Sequence, residues 1–143
     1  MGRATATQRH PNSGVVGRRE GAPVVLLVDD EACVLDVETR IMRRAGIRCL
    51  HAKTGAEAVA ALRDHPEVAL VLLDAILPDT SGDRLFAALK EVKPSVKVVV
   101  CSGMSEQGPA KAMCDAGADG LVSKPFAARE LAERVRLALS GDA

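Results

Sequence analysis

Aromatic side chains are nearly missing: the 143 residues include no Trp, no Tyr and two Phe, Phe86 and Phe126. Proteins that grip single-stranded nucleic acid do so largely by stacking bases on aromatic rings, so that class of partner is disfavoured. Net charge is missing as well, since 19 Lys and Arg balance 19 Asp and Glu. Without an excess of positive charge the chain lacks the field that holds a phosphate backbone, and no nucleic-acid partner is expected. Long apolar runs are absent. Val24–Val28 and Val68–Leu73 are strand-sized, far short of the roughly 18 residues a membrane-spanning helix needs, so no membrane partner is expected either. The N-terminus carries Arg3, Arg9, Arg18 and Arg19 without the apolar centre of a secretory signal, and Ala6 occupies the place where a myristoylation pattern wants Ser or Thr. A cytoplasmic protein is expected. The four cysteines, Cys33, Cys49, Cys101 and Cys114, show no C-x-x-C pair and no zinc-finger histidine spacing. They read as small buried hydrophobes rather than a disulfide or metal framework.

What is present is order of another kind. Residues 1–22 carry four Arg against one Glu and no sustained period, which predicts a disordered basic leader. Residues 23–143 then carry 15 basic and 18 acidic side chains and predict one domain. Within it, short apolar runs alternate with helical patterns. Strands are predicted at Val24–Val28, Ile47–His51, Ala69–Leu73, Val96–Cys101 and Gly120–Val122. Helices are predicted from Ala32, with Val34, Val37, Ile41 and Ala45 as the apolar stripe, over Ala56–Asp64, and from after Gly82 to about Val92. A fourth starts around Pro109 and is ended by Gly117, and the last spans Ala127–Leu139. Five strands alternating with five helices imply right-handed crossovers: an α/β domain with a doubly wound five-stranded parallel sheet.

Ligands of such sheets sit beyond the carboxyl ends of the strands. There the sequence places Asp29, Asp30 and Glu31, then Asp74, then Ser102 and Gly103, then Ser123, Lys124 and Pro125. Gathered carboxylates repel one another, and a hard divalent cation such as Mg2+ relieves the repulsion. Once Mg2+ and Lys124 offset the charge, an Asp carboxylate can attack a phosphoryl group. Singly, each residue has a plainer role: Asp29 or Asp30 as a helix cap, Asp74 as a strand terminator, Lys124 as a solvated lysine. Their shared edge favours the chemical reading.

Val28-Asp29-Asp30-Glu31, Leu73-Asp74 followed by Leu77-Pro78 and Gly82, Ser102-Gly103, and Lys124-Pro125-Phe126 together resemble the receiver domains of two-component response regulators. The motifs stand in order, 44 residues from Asp30 to Asp74, 28 more to Ser102 and 22 more to Lys124. The resemblance spans about Val24 to Leu139. It implies a flavodoxin-like sheet of strand order 2-1-3-4-5. It implies that Asp74 accepts a phosphoryl group from a partner histidine, with Mg2+ as cofactor held by Asp29, Asp30, Asp74 and the backbone carbonyl of Ile76. Lys124 would pair with the acyl phosphate, Ser102 would swing to bond a phosphoryl oxygen, and Gly103 would leave the phosphate room. The Lys124–Pro125 bond would be cis.

The same resemblance implies partners: a histidine kinase or histidine phosphotransfer protein, and a downstream effector that reads the surface of the fourth helix, fifth strand and fifth helix. The Ser102-Gly103 and Lys124-Pro125-Phe126 forms are similar to receivers of hybrid kinases, which implies onward phosphorelay as one output. Kinase specificity would rest on first-helix surface residues such as Leu35, Glu38 and Thr39. Only Ser140 to Ala143 follow Leu139, so no output domain is expected. The sequence departs from the family at Leu121, where an aromatic or His usually completes the switch with Ser102; Leu121 is either core packing or an altered switch. Ile76 and Met104 stand where polar side chains help position the attacking water, and both being apolar predicts slow hydrolysis of the acyl phosphate. The domain would be no dedicated enzyme. The alternative is an unphosphorylated interaction module, a pseudo-receiver. An aspartyl phosphatase is disfavoured because Ile76 cannot act as the second acid, and a nucleotide-binding protein because no glycine-rich phosphate loop occurs.

Overall fold

Runs of Val and Leu with no polar interruption fit strands buried on both faces, and here they pair as one parallel sheet. The computed structural model describes residues 22–103 and 107–141. The expected leader, apart from Ala22, and Met104 lie outside the described residues. The strands are β1 (Val24–Val28), β2 (Arg48–Ala52), β3 (Val68–Asp74), β4 (Lys97–Ser102) and β5 (Gly120–Ser123). The helices are α1 (Ala32–Arg44), α2 (Gly55–Asp64), α3 (Gly82–Val92), α4 (Gln107–Asp115) and α5 (Ala128–Ser140). The sheet order is β2-β1-β3-β4-β5 with every pairing parallel. The expected five-stranded doubly wound fold and its 2-1-3-4-5 order are both present.

Alternation along each strand divides the core. Val24, Leu26 and Val28 point to the side covered by α2, α3 and α4, where Leu62, Phe86, Leu89 and Met113 meet them. Val25 and Leu27 point to the side covered by α1 and α5, against Leu35, Met42, Leu131 and Val135. Each fully buried Leu or Val contributes about 1.5–3 kcal/mol of apolar transfer. Chain reversals follow local chemistry: Gly46, Gly117 and Gly141 adopt positive φ after α1, α4 and α5, the left-handed conformation that glycine reaches without a Cβ penalty.

Three differences from the sequence reading have physical causes. The strands β2 and β4 run one residue later than the apolar runs suggest, and β3 and β5 extend one residue further. Backbone pairing continues after side chains turn polar, as Asp74 pairs with Cys101 and Ser102 with Ser123. The buried stripe of α1 is Leu35, Glu38 and Met42, not Val34, Val37, Ile41 and Ala45. Val37 is 48% exposed; a glutamate at the centre of the buried stripe hides the true period. Leu35 and Glu38 are therefore not on the surface, as the kinase-specificity reading required. Finally, Cys49 and Cys101 are buried, while Cys33 is exposed and Cys114 half-buried. Cys33 lies in the first turn of α1, on its open side.

Candidate functional site

The carboxyl edge of the sheet is built by extending its backbone ladder one step past the strands. The Asp29 amide donates to the Ala52 carbonyl at 3.1 Å, Ala75 to Cys101 at 2.9 Å and Lys124 to Ser102 at 2.7 Å. Asp29, Asp74 and Lys124 are thereby placed by main chain, and their side chains converge. One oxygen each of Asp29, Asp30 and Asp74 lies within 4.8 Å of the others. Asp29 and Asp74 are buried, Asp30 exposed. Lys124 Nζ bridges the buried pair, donating to Asp74 Oδ1 at 3.2 Å and Asp29 Oδ2 at 3.4 Å. Asp29 Oδ1 also accepts from the Glu31 amide at 2.9 Å. The Ile76 amide points to Asp74 Oδ1 at 3.5 Å, a long contact.

Electrostatics follow from this crowding. Burial first, and then the charge of Asp29, lift the Asp74 carboxyl to about 6, with Lys124 opposing the shift. Burial disfavours the Lys124 ammonium, but Asp74 and Asp29 outweigh it and hold that group above the usual lysine range. One cation therefore serves two buried carboxylates, and the cluster has room for more positive charge. Hard oxygen donors, two buried and one open to solvent, fit a small divalent cation that keeps part of its water shell.

Ser102 is 5% exposed at the end of β4. With Gly103, Lys111, Leu121 and Lys124 it lines a cavity of about 370 Å³. Leu121 is 40% exposed, so the core-packing reading of this residue is corrected: on edge strand β5 it faces outward over the cavity. The Lys124–Pro125 peptide bond is cis, as expected. Ile76 is 47% exposed at the mouth of the site.

Sequence reasoning missed the state of Glu38. It is 2% exposed, and its Oε1 finds no hydrogen-bond partner among the described residues. Burial, and then the charge of Asp29, raise its carboxyl to about 8. The i, i+3, i+7 spacing of Leu35, Glu38 and Met42 was the available signal. His51 forms a 2.6 Å hydrogen bond with Thr39 Oγ1, which itself donates to the Leu35 carbonyl at 2.7 Å.

Fold and edge together define a doubly wound α/β domain with a cation-competent acidic site at its ligand edge. The chain belongs to the Response regulator receiver domain family, which matches residues 25–136. It is 34% identical over 118 residues to the phosphate regulon transcriptional regulatory protein PhoB of Pseudomonas aeruginosa, covering 80% of this chain and 51% of that protein. It is 30% identical over 117 residues to the sensor kinase CckA of Brucella abortus, covering 81% of this chain and 12% of that one. Among solved structures, a CheY-like receiver domain protein from Methanospirillum hungatei superposes with a TM-score of 0.78 at 27% identity, covering 85% of this chain and 96% of the other. The chain spans about half the length of the curated transcriptional regulators it matches. No helix among the described residues is long and apolar enough to cross a membrane.

Proposed function

We propose that this receiver takes a phosphoryl group from a partner's phosphohistidine onto Asp74. The observation that carries this reading is the Lys124 ammonium shared between Asp74 and Asp29 beside the open carboxylate of Asp30. With its carboxyl near 6, Asp74 is mostly ionised at neutral pH and nucleophilic. A carboxylate oxygen attacks phosphorus, the new P–O bond forms as the P–N bond breaks, and the imidazole leaves with its bonding pair and takes up a proton. Asp29, Asp30, Asp74 and the Ile76 carbonyl would hold Mg2+, which when bound supplies charge neutralisation for the phosphoryl oxygens. Lys124 moves from carboxylate to phosphoryl oxygen, and Ser102 donates its hydroxyl to another. Gly103 keeps side-chain bulk away from the group.

Phosphorylation adds about −1.5 to −2 charges at this edge. Ser102 and Lys124 both reach the cavity under Leu121, so their reorientation is felt at α4, β5 and α5, the surface for an effector. An aliphatic group there cannot reproduce an aromatic switch. The donor, a histidine kinase or phosphotransfer protein, has a fitting face between α1 and α5. A groove of about 660 Å³ there sets Arg40, Arg44, Arg129 and Arg136 around Val37 and Ile41, suited to a helix bearing apolar and acidic side chains.

Incubation with a small phosphodonor and Mg2+ followed by intact mass tests the reading. One phosphoryl adduct is expected on the wild-type chain and none on Asp74→Asn; no adduct under saturating donor would favour the unphosphorylated interaction module. With apolar Ile76 at the mouth, the adduct should outlast minutes, and decay within seconds in Mg2+ buffer would refute slow hydrolysis.

A further inference from the structure

The turn that carries Ile76, between β3 and α3, is fastened to a helix it does not adjoin in sequence. Asp79 sets both carboxylate oxygens on the N-terminus of α2. Oδ1 accepts from the Gly55 amide at 2.8 Å and Oδ2 from the Ala56 amide at 3.1 Å. The neighbouring amides at that helix end are satisfied locally: Thr54 Oγ1 accepts from the Glu57 amide at 3.1 Å, and Glu57 Oε1 accepts from the Lys53 amide at 2.9 Å. First-turn amides have no partner inside a helix, so Asp79 fills the two places the local caps leave.

Gly55 permits the approach, since a Cβ there would stand 2.5 Å from Thr80 Cγ2. The base of the turn is held as firmly. Ile76 and Ser81 form an antiparallel bridge, Leu77 is buried, and a Cβ on Gly82 would meet the Ala75 carbonyl oxygen at 2.7 Å. The Gly55 amide, opposed by desolvation and assisted by the Ala56 amide, holds the Asp79 carboxyl below its ordinary range. It therefore stays ionised at neutral pH, facing the positive end of α2.

We propose that Asp79 is a positioning residue for the divalent cation: by pinning the tip of the turn to α2 it fixes the backbone from Ile76 to Ser81, and so the aim of the Ile76 carbonyl at the cation held by Asp29, Asp30 and Asp74. The inference rests on the cation site put forward above. Mg2+ demands near-ideal octahedral geometry, so a slackened carbonyl ligand weakens binding even when every carboxylate stays in place. Asp79 carries this role without touching the cation, as partners behind metal ligands commonly do.

The test titrates Mg2+ into the full chain, following backbone-amide NMR shifts, alongside a urea midpoint for each variant. Asp79→Ala should weaken Mg2+ binding about tenfold, and Asp79→Asn, which keeps one acceptor, should fall between it and wild type. Thr54→Ala removes a cap from the same helix end without touching the turn. It should lower the urea midpoint and leave Mg2+ affinity within about twofold, a difference well under 1 kcal/mol. Equal affinity in wild type and Asp79→Ala, or equal losses in Asp79→Ala and Thr54→Ala, would overturn the positioning role. No saturable shift in the wild-type chain would remove the cation site itself, and Asp79's role with it.

Discussion

The two faces of the sheet are packed with different chemistry. Under α2, α3 and α4 lies a cluster of Val, Leu, Ala, Met and Phe, with no charged side chain buried in it among the described residues. Under α1 and α5 the cluster takes in Cys49 and Cys101, and the stripe of α1 that covers it has Glu38 at its middle. The first face is scaffold. The second shares its electrostatics with the site, because Glu38 is coupled to Asp29, Lys124 and Asp74 through a weakly screening interior. An interior with one apolar face and one titratable face can hold its fold rigidly while its charge state follows the ligand edge.

The comparison is sharpened most by opposite substitutions on the two faces. Leu89→Ala, at a fully buried position of the apolar face, should cost about 4 kcal/mol of unfolding free energy at any pH, read from urea denaturation. Glu38→Leu should do the reverse in a pH-dependent way. The folded-state carboxyl near 8 stands above its ordinary 4.5, so the folded protein holds a proton the unfolded chain releases. Its contribution to stability is full below about pH 4.5 and lost as pH rises through 8. Asp74, lifted to about 6, acts in the same direction over a narrower window. Metal-free wild-type protein should therefore lose on the order of 3 kcal/mol between pH 5 and 8 through Glu38. Glu38→Leu should flatten most of that slope; a flat wild-type profile would erase the distinction between the faces.

Lys124→Ala acts at the edge where the faces meet. Removing the ammonium that lowers the Asp74 carboxyl should move the pH midpoint of phosphorylation by a small donor upward, and an unmoved midpoint would show that Lys124 does not set this ionisation. The smallest effect on stability is expected at the groove of the second face. Arg44→Glu should change unfolding free energy by no more than about 0.5 kcal/mol while slowing phosphotransfer from a kinase; unchanged transfer would place docking elsewhere.

The converging Asp29, Asp74, Ser102 and Lys124 were legible because each stands at or just beyond the end of a short apolar stretch, and a parallel sheet brings such ends to one edge; the strand order came from the family resemblance. Glu38 was not legible, because a charged residue at a helix position reads as solvent-facing unless its neighbours at i−3 and i+4 are weighed first. Leu121 stayed open between core packing and an altered switch for the converse reason: a leucine in a strand reads as buried, yet β5 is an edge strand with an open side. Asp79 left no signal at all. Its partners, Gly55 and Ala56, are backbone amides 24 and 23 residues away, and hydrogen bonds to main chain across such a distance carry no side-chain pattern.

The central claim, a phosphoryl group on the buried carboxylate that Lys124 holds, is tested most directly by borohydride reduction of the phosphorylated chain, which converts an aspartyl phosphate to homoserine. Peptide mass mapping should find homoserine at position 74 alone. Homoserine at Asp29 or Asp30, or unmodified peptide 74 after saturating donor and Mg2+, would contradict the account.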